Sequence, residues 1–348
     1  MPRAAISSTE HFVVEPARRP SQASLPLLEV ERLHVRFPLM GPIKASLFQV
    51  QNRFLDAVLD VSFQVRSGTT LALVGESGSG KSTLGRAILG LVPIAGGTVW
   101  FEGEEPLKQG KAAPAYLRHV AMMFQDPISS LSPRRTVKSL ITEPFIVHGL
   151  SSRDLDAEAR RLLALVGLPK DFAERYPHQL SGGQARRVGV ARAVALSPKL
   201  IVADEPTAGL DVSVQGEILN LMTRLQRELG LTYLVITHNL AVVRHVSDEM
   251  AIMYMGRFVE YGPTQEIFAH AAHPYTDGLI AAQPQPDPDK RRAEVALKGE
   301  VPSLARRPVG CEFHTRCPQA QEFCRHERPA VRELGPHHSH RCHFPLTG

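Results

Sequence analysis

The chain of 348 residues has no cysteine before position 311, a single tryptophan, and few aromatic residues of any kind. It has no apolar run approaching the roughly 18 residues that a membrane-spanning helix requires, so an integral membrane protein is excluded as the reading. The N-terminal stretch MPRAAISSTEHFVVEPARRP has no apolar core, so it does not read as a secretory signal peptide, and a cytosolic protein is expected. Blocks of one charge are missing as well. Lysine plus arginine (40) exceeds aspartate plus glutamate (35) only slightly, and the basic residues are scattered, which does not point to nucleic acid. Internal repeats and heptads are also absent, which sets aside solenoids and coiled coils. In a reducing compartment, closely spaced thiols are more often metal ligands or redox groups than structural disulfides.

What is present falls into a clear order along the chain. Residues 1–26 are rich in Ser, Pro, Arg and Ala without periodicity and read as a loose leader. LLEVERLHVRF (27–37) and VLDVSFQV (58–65) alternate as half-buried strands do, with an insertion between them that breaks the pattern. TLALVG is a short apolar run of the kind a sheet buries on both faces; a Gly/Ser loop and the helical spacing of KSTLGRAILGL follow it. LIVAD and TYLVITH are two further buried-strand runs. They flank VQGEILNLMTRLQREL, in which Ile218, Leu221, Met222 and Leu225 share one face of a helix. This alternation predicts an α/β fold with a mainly parallel core sheet. Over about 126–180 helical signals replace strand signals, as in SSRDLDAEARRLLALVGL, which predicts a helical insert. The division expected is a leader (1–26), a main domain (27–270) containing that insert, and a linker with a cysteine-bearing, loop-rich extension (271–348).

GESGSGKST (75–83) satisfies G-x4-G-K-[ST] with a strand before it and a helix after it, the context in which the pattern signifies a phosphate loop. Gly75, Gly78 and Gly80 let the backbone curl, so that N–H groups of the loop, including Ser77 and Ser79, turn toward phosphate oxygens at a helix N-terminus. Lys81 supplies a point charge for the β- and γ-phosphates of ATP. Ser82 offers a hydroxyl to Mg2+, and Thr83 is placed to reach the α-phosphate. Asp204 closes the strand LIVAD and is placed to hold a metal-bound water; Glu205 beside it is a candidate to polarise an attacking water. His238 ends another strand, where open α/β sheets bind ligands, and is a candidate γ-phosphate contact. Gln125, after the apolar run ending in MMF, is a candidate contact to both Mg2+ and water.

LSGGQ (180–184) opens a second helix on glycines, and so exposes a second set of unpaired backbone N–H groups. One nucleotide does not need two such cradles, so this one is read as serving a nucleotide held by another copy. LSGGQ lies upstream of LIVADEP and TAGLD, with Gln125 before it and ITHN after it. In this the chain resembles the ATP-binding subunit of ABC transporters over about residues 28–268. The resemblance implies a P-loop NTPase of ABC type, with an antiparallel β subdomain beside the parallel core, and a head-to-tail dimer. In such a dimer each ATP lies between one subunit's phosphate loop and the other's Ser181, Gly182, Gly183 and Gln184, with Ser181 and Gly183 at the γ-phosphate. It further implies Glu205 as the catalytic glutamate, Gln125 as the Q-loop, Asp211 as the D-loop aspartate, His238 as the switch histidine and Phe37 as the adenine-stacking aromatic. Two departures are visible: Ala208-Gly209-Leu210-Asp211 in place of the commoner SALD, and Asn239 where an aspartate is usual. Neither removes a catalytic group.

YGPTQEIFAHAAHPYT and the tail PSLARRPVGCEFHTRCP are similar to the dipeptide, oligopeptide and nickel importer group. That resemblance implies an ATPase energising peptide import, with nickel or another small solute as the alternative. The implied partners are two permease subunits, a second ATPase (identical or paralogous) and, indirectly, an extracytoplasmic binding protein. The location it implies is peripheral, at the cytoplasmic face of the inner membrane. A soluble ABC ATPase acting on nucleic acid or the ribosome is the competing class, but the long coiled coil or second cassette of such proteins is absent. The four cysteines, Cys311, Cys317, Cys324 and Cys342, are spaced C-x5-C-x6-C-x17-C. Chance would confine four scattered cysteines to that tail roughly once in several thousand trials. The spacing lacks the C-x2-C pairs of zinc knuckles, and four thiolates can also hold an iron-sulfur cluster; the resemblance to peptide-importer ATPases implies such a cluster, with zinc or unligated or disulfide-forming thiols as alternatives.

Overall fold

The computed structural model describes residues 25–39, 54–108, 111–126, 130–150, 152–283, 297 and 299–346. Most of the leader and of the insertion after the first strand lies outside the described residues. The apolar runs become the centre of the molecule: β3 (Thr70–Val74), β8 (Leu200–Asp204) and β9 (Thr232–Thr237) are buried at every position, as strands covered on both faces must be. With β7 (Val120–Met123) and β10 (Glu249–Tyr254) they form a parallel set in the order β10-β3-β9-β8-β7.

The alternating segments go elsewhere. β1 (Leu28–Pro38) pairs antiparallel with β2 (Phe54–Val65) and β4 (Gly96–Phe101) in a separate three-stranded sheet, as the half-buried pattern of β1 requires. A short ladder of β5 (Leu107–Lys108) and β6 (Lys111–Ala112) stands beside it. The helix Lys81–Ile88 follows β3 and buries Leu84, Ala87 and Ile88 between the two sheets' shared core. In the helical region, Val137–Val147, Leu155–Leu165 and Gly182–Val194 pack Leu140, Phe145, Leu162 and Val188 into a second core. The helix Val212–Leu229 buries Ile218, Leu221, Met222 and Leu225, the face read from its spacing.

The C-terminal extension is loop-rich, yet it adds to the sheet. β11 (Arg257–Pro263) pairs antiparallel with β10 and with β13 (His338–His340), and β13 pairs with β12 (Arg332–Gly335), extending the sheet to eight strands. Phe313 docks this segment onto Tyr254 and Tyr275 with ring centroids 5.4 and 5.3 Å apart. Glu312 is gripped by Arg257, Arg307 and Arg328 at 3.2, 3.6 and 3.5 Å.

Candidate functional site

The phosphate loop connects β3 to the helix Lys81–Ile88, and at two of its glycines, Gly75 and Gly80, the surroundings leave no room for a side chain. At Gly75, with φ of 153°, a Cβ would lie 2.2 Å from the Met253 carbonyl oxygen; at Gly80, with φ of 106°, 2.4 Å from that of Ala57. Lys81 folds back over the loop. Its Nζ donates to the carbonyls of Gly75 and Glu76, both at 2.8 Å, and to Ser79 Oγ at 3.2 Å. Burial lowers the Lys81 ammonium pKa, and the charges of Glu205, Asp204 and Glu76 offset part of that shift.

Ser82 Oγ donates to Asp204 Oδ1 at 3.0 Å, joining the N-terminus of the helix Lys81–Ile88 to the C-terminal end of β8 across 122 positions of sequence. Burial raises the Asp204 carboxyl, opposed by the Ser82 hydroxyl. Glu205 has a positive φ of 48°, which turns it off the strand end, and its N–H donates to the Ile236 carbonyl at 2.8 Å. Its carboxylate meets His238 Nδ1 at 2.6 Å and accepts from the His238 N–H at 3.2 Å and the Thr237 hydroxyl at 3.3 Å.

These groups share one open cavity of about 840 Å3, within the size of small-molecule sites. Gly75, Ser77, Gly78, Gly80, Lys81, Ser82, Thr83, Gln125, Glu205 and His238 line it, and Phe37 is in its wall. Ser79 and Asp204 sit behind the lining, reaching it through Lys81 and Ser82. Ser181, Gly182, Gly183, Gln184 and Asp211 are not brought to it: none is among the residues that line the cavity. Ser181 instead caps the helix Gly182–Val194, its Oγ accepting from the Gln184 N–H at 3.2 Å while Gln184 Oε1 accepts from the Ser181 N–H at 3.0 Å. Ser181, Gly182 and Asp211 are exposed to solvent.

Sequence reasoning missed Arg186. It is nearly buried, and its guanidinium donates to the Gln125 carbonyl at 2.9 Å and the Ala208 carbonyl at 2.8 Å, tying the LSGGQ helix to the segments on either side of β8. No local pattern marks such a contact.

Residues 58–208 match the family model described as ABC transporter, and residues 259–324 match that described as oligopeptide/dipeptide transporter, C-terminal region. The chain is 44% identical to the oligopeptide transport ATP-binding protein AppF of Bacillus subtilis, over 87% of this chain and 94% of that one. It is 47% identical to the probable peptide ABC transporter ATP-binding protein y4tS of Sinorhizobium fredii, over 91% and 89%. The chain belongs to the ABC transporter ATP-binding family. Among solved structures, cbiO1 of Clostridium perfringens, part of the ABC transporter complex cbiONQ, superposes with a TM-score of 0.59 at 25% identity, covering 71% of this chain and 92% of that one. The ATP-binding cassette MJ0796, in a dimer bound to ADP and Pi, gives 0.57 at 26% identity, covering 68% and 98%.

Two further features of this ABC ATPase lie away from the cavity. Leu117, Phe124 and Val147 line an apolar groove of about 340 Å3 between the helical region and β7, and all three are exposed. The four cysteines converge on one small cavity with His273, His314 and Phe313, and they form no disulfide. Burial pushes the Cys311 thiol up to about 12 and the Cys342 thiol to about 11, so both are protonated thiols at neutral pH. The metal centre read from the spacing is not supported here: among the described residues no group of three or more His, Cys, Asp or Glu is arranged to hold a metal ion. Among the described residues no helix is long and apolar enough to cross a membrane.

Proposed function

We propose that this ABC ATPase hydrolyses ATP to energise the import of peptides through a membrane permease. The observation that carries the solute class is the match of residues 259–324 to the oligopeptide/dipeptide transporter C-terminal region, beside relatives named for peptide transport. The chemistry follows from the cavity. The loop N–H groups and Lys81 bind the phosphates, and transition-state charge on the γ-phosphoryl is met by groups already fixed in place. Ser82 and Asp204 are hard oxygen donors held side by side, the donor set that suits Mg2+. Mg2+ bound there with Gln125 would neutralise charge on the β- and γ-phosphates. Glu205 accepts a proton from the attacking water, and His238, hydrogen-bonded to it, fixes the direction in which that carboxylate points. Phe37 stacks the base.

The same reading gives the partners. Exposed Ser181, Gly182 and Asp211, with half-buried Gly183 and Gln184, complete the site of a second ATPase subunit, and the apolar groove at Val147 receives a segment of the permease. The protein then works at the cytoplasmic face of the membrane as a peripheral subunit. The test is reconstitution with peptide-transporter permeases from the same organism in vesicles. Peptide-loaded binding protein is expected to stimulate phosphate release and peptide uptake, and recovery with ribosomes or DNA in place of permeases would reject the reading.

A narrower reading concerns the tail, where the four cysteines would hold an iron-sulfur cluster that cross-links a segment with little core of its own. Their convergence on one cavity supports it. Anaerobically purified protein should then contain iron and acid-labile sulfide; colourless, iron-free protein with full ATPase activity would dismiss it.

A further inference from the structure

The C-terminal extension reaches the phosphate loop itself. Arg316, which immediately precedes Cys317, makes a two-pronged ion pair with Glu76, the second residue of GESGSGKST: Nη1 to Oε2 at 2.6 Å and Nη2 to Oε1 at 3.0 Å. The residues are 240 positions apart. The Arg316 side chain is only 4% exposed, and its guanidinium lies 5.9 Å from the Tyr254 ring centroid. The backbone of Glu76 is held as well, its N–H donating to Tyr275 Oη at 2.9 Å and its carbonyl accepting from Lys81.

Glu76 is an awkward residue for this position. It lines the cavity in which a polyanion is to bind, and its charge is close enough to Lys81 to raise that ammonium's pKa. An unpaired carboxylate there repels phosphate and competes for Lys81. Lys81 bonds only the Glu76 carbonyl; among the described residues the cation that pairs with the Glu76 carboxylate comes from the extension. The extension contributes to the wall too, since Val301 and Leu304 line the same cavity. Arg307 bonds the Met255 carbonyl, next to Gly256, whose N–H donates to the Ser79 carbonyl of the loop at 2.8 Å.

We propose that Arg316 is a positioning residue for nucleotide binding: by pairing Glu76 it removes a negative charge from the mouth of the phosphate loop, which makes the C-terminal extension a working part of the ATP site. The inference rests on the reading of the cavity as an ATP site.

Calorimetric titration of the full chain with Mg-AMPPNP separates the two. Arg316→Met keeps the apolar stem and is expected to weaken binding about tenfold, raising KM for ATP with little change in kcat. Glu76→Gln is expected to bind more tightly than the wild type, and the double variant to return to wild-type affinity, because the cost lies in the charge and not in the lost brace. Should Arg316→Met melt too low to be assayed, the Glu76→Gln titration decides alone. Unchanged affinity in Arg316→Met, no tightening in Glu76→Gln, or a double variant as weak as Arg316→Met would overturn the proposal. A wild-type chain that binds no Mg-AMPPNP would instead overturn the ATP reading beneath it.

Discussion

At the scale of single residues, the site is a set of carboxylates whose surroundings differ. Asp204 is buried against the Ser82 hydroxyl, whereas Glu205, one position later, turns out of the strand on a positive φ and meets His238 at 2.6 Å. Under the proposed function the adjacent residues would serve different parts of one reaction, Asp204 on the side of the phosphates' counter-ion and Glu205 on the side of the water. Removing the Glu205 charge without changing its shape should affect only the second role. Glu205→Gln is expected to lower phosphate release by about 100-fold or more, the contribution of a positioned base, while ATP binding measured by filter retention stays at the wild-type level. Turnover within a few-fold of the wild type would show that Glu205 is not the base.

At the scale of elements, the phosphate loop, LIVADE, LSGGQ and ITHN were legible because each is a local string with a local cause: glycines where a Cβ has no room, a carboxylate at a strand end, a helix start with its own cap. What stayed hidden depends on partners far away in the chain. No periodicity in RELGPHHSH foretells that β13 pairs with Glu260 and Tyr261, and nothing near Arg186 or Arg316 names the carbonyls and carboxylate they bind. Glu260 shows how such a junction is held. It is fully buried and accepts from His338 at 2.9 Å and from the N–H groups of Ala272 and His273 at 2.8 and 2.9 Å. Burial by itself would raise its carboxyl, but the His338 bond and the two N–H groups outweigh this and hold it below 4.5. A depressed carboxyl stabilises the fold above its ordinary pKa, and that stabilisation is lost as pH falls through the folded value. The extension should thus stay docked at neutral pH and loosen only as the pH falls below the ordinary carboxylate range, seen as protease cleavage within 271–348. Glu260→Gln should bring the same cleavage to neutral pH, at a cost of roughly 3 kcal/mol for breaking a buried pair. A cleavage pattern that does not move with pH or with this variant would place the junction's stability elsewhere.

At the scale of the whole molecule, the proposed function gives two surfaces to partners. Val147 is 73% exposed in an apolar groove that the fold itself does not fill. Val147→Asp is expected to leave the ATPase rate of the isolated subunit within about twofold, since exposed substitutions rarely disturb a fold, and to abolish stimulation by the reconstituted permease. The other surface is the exposed LSGGQ helix start, which shares a chain with Lys81 but not a cavity. If each ATP is held by Lys81 of one copy and Ser181 of another, damage to either motif disables both sites of a uniform dimer. Damage to different motifs in the two copies spares one site, because an intact Lys81 then faces an intact Ser181. Lys81→Ala and Ser181→Arg subunits, each expected to be inactive alone, should therefore recover about a quarter of the wild-type phosphate release per site when mixed equally, since about half of the dimers are then mixed and each keeps one of its two composite sites whole. Recovery that peaks near equal proportions would establish two copies of this chain as the catalytic pair. Activity that stays at the level of the separate variants at every ratio would mean that two copies do not complete each other's sites, and that the exposed helix start meets a different ATPase subunit.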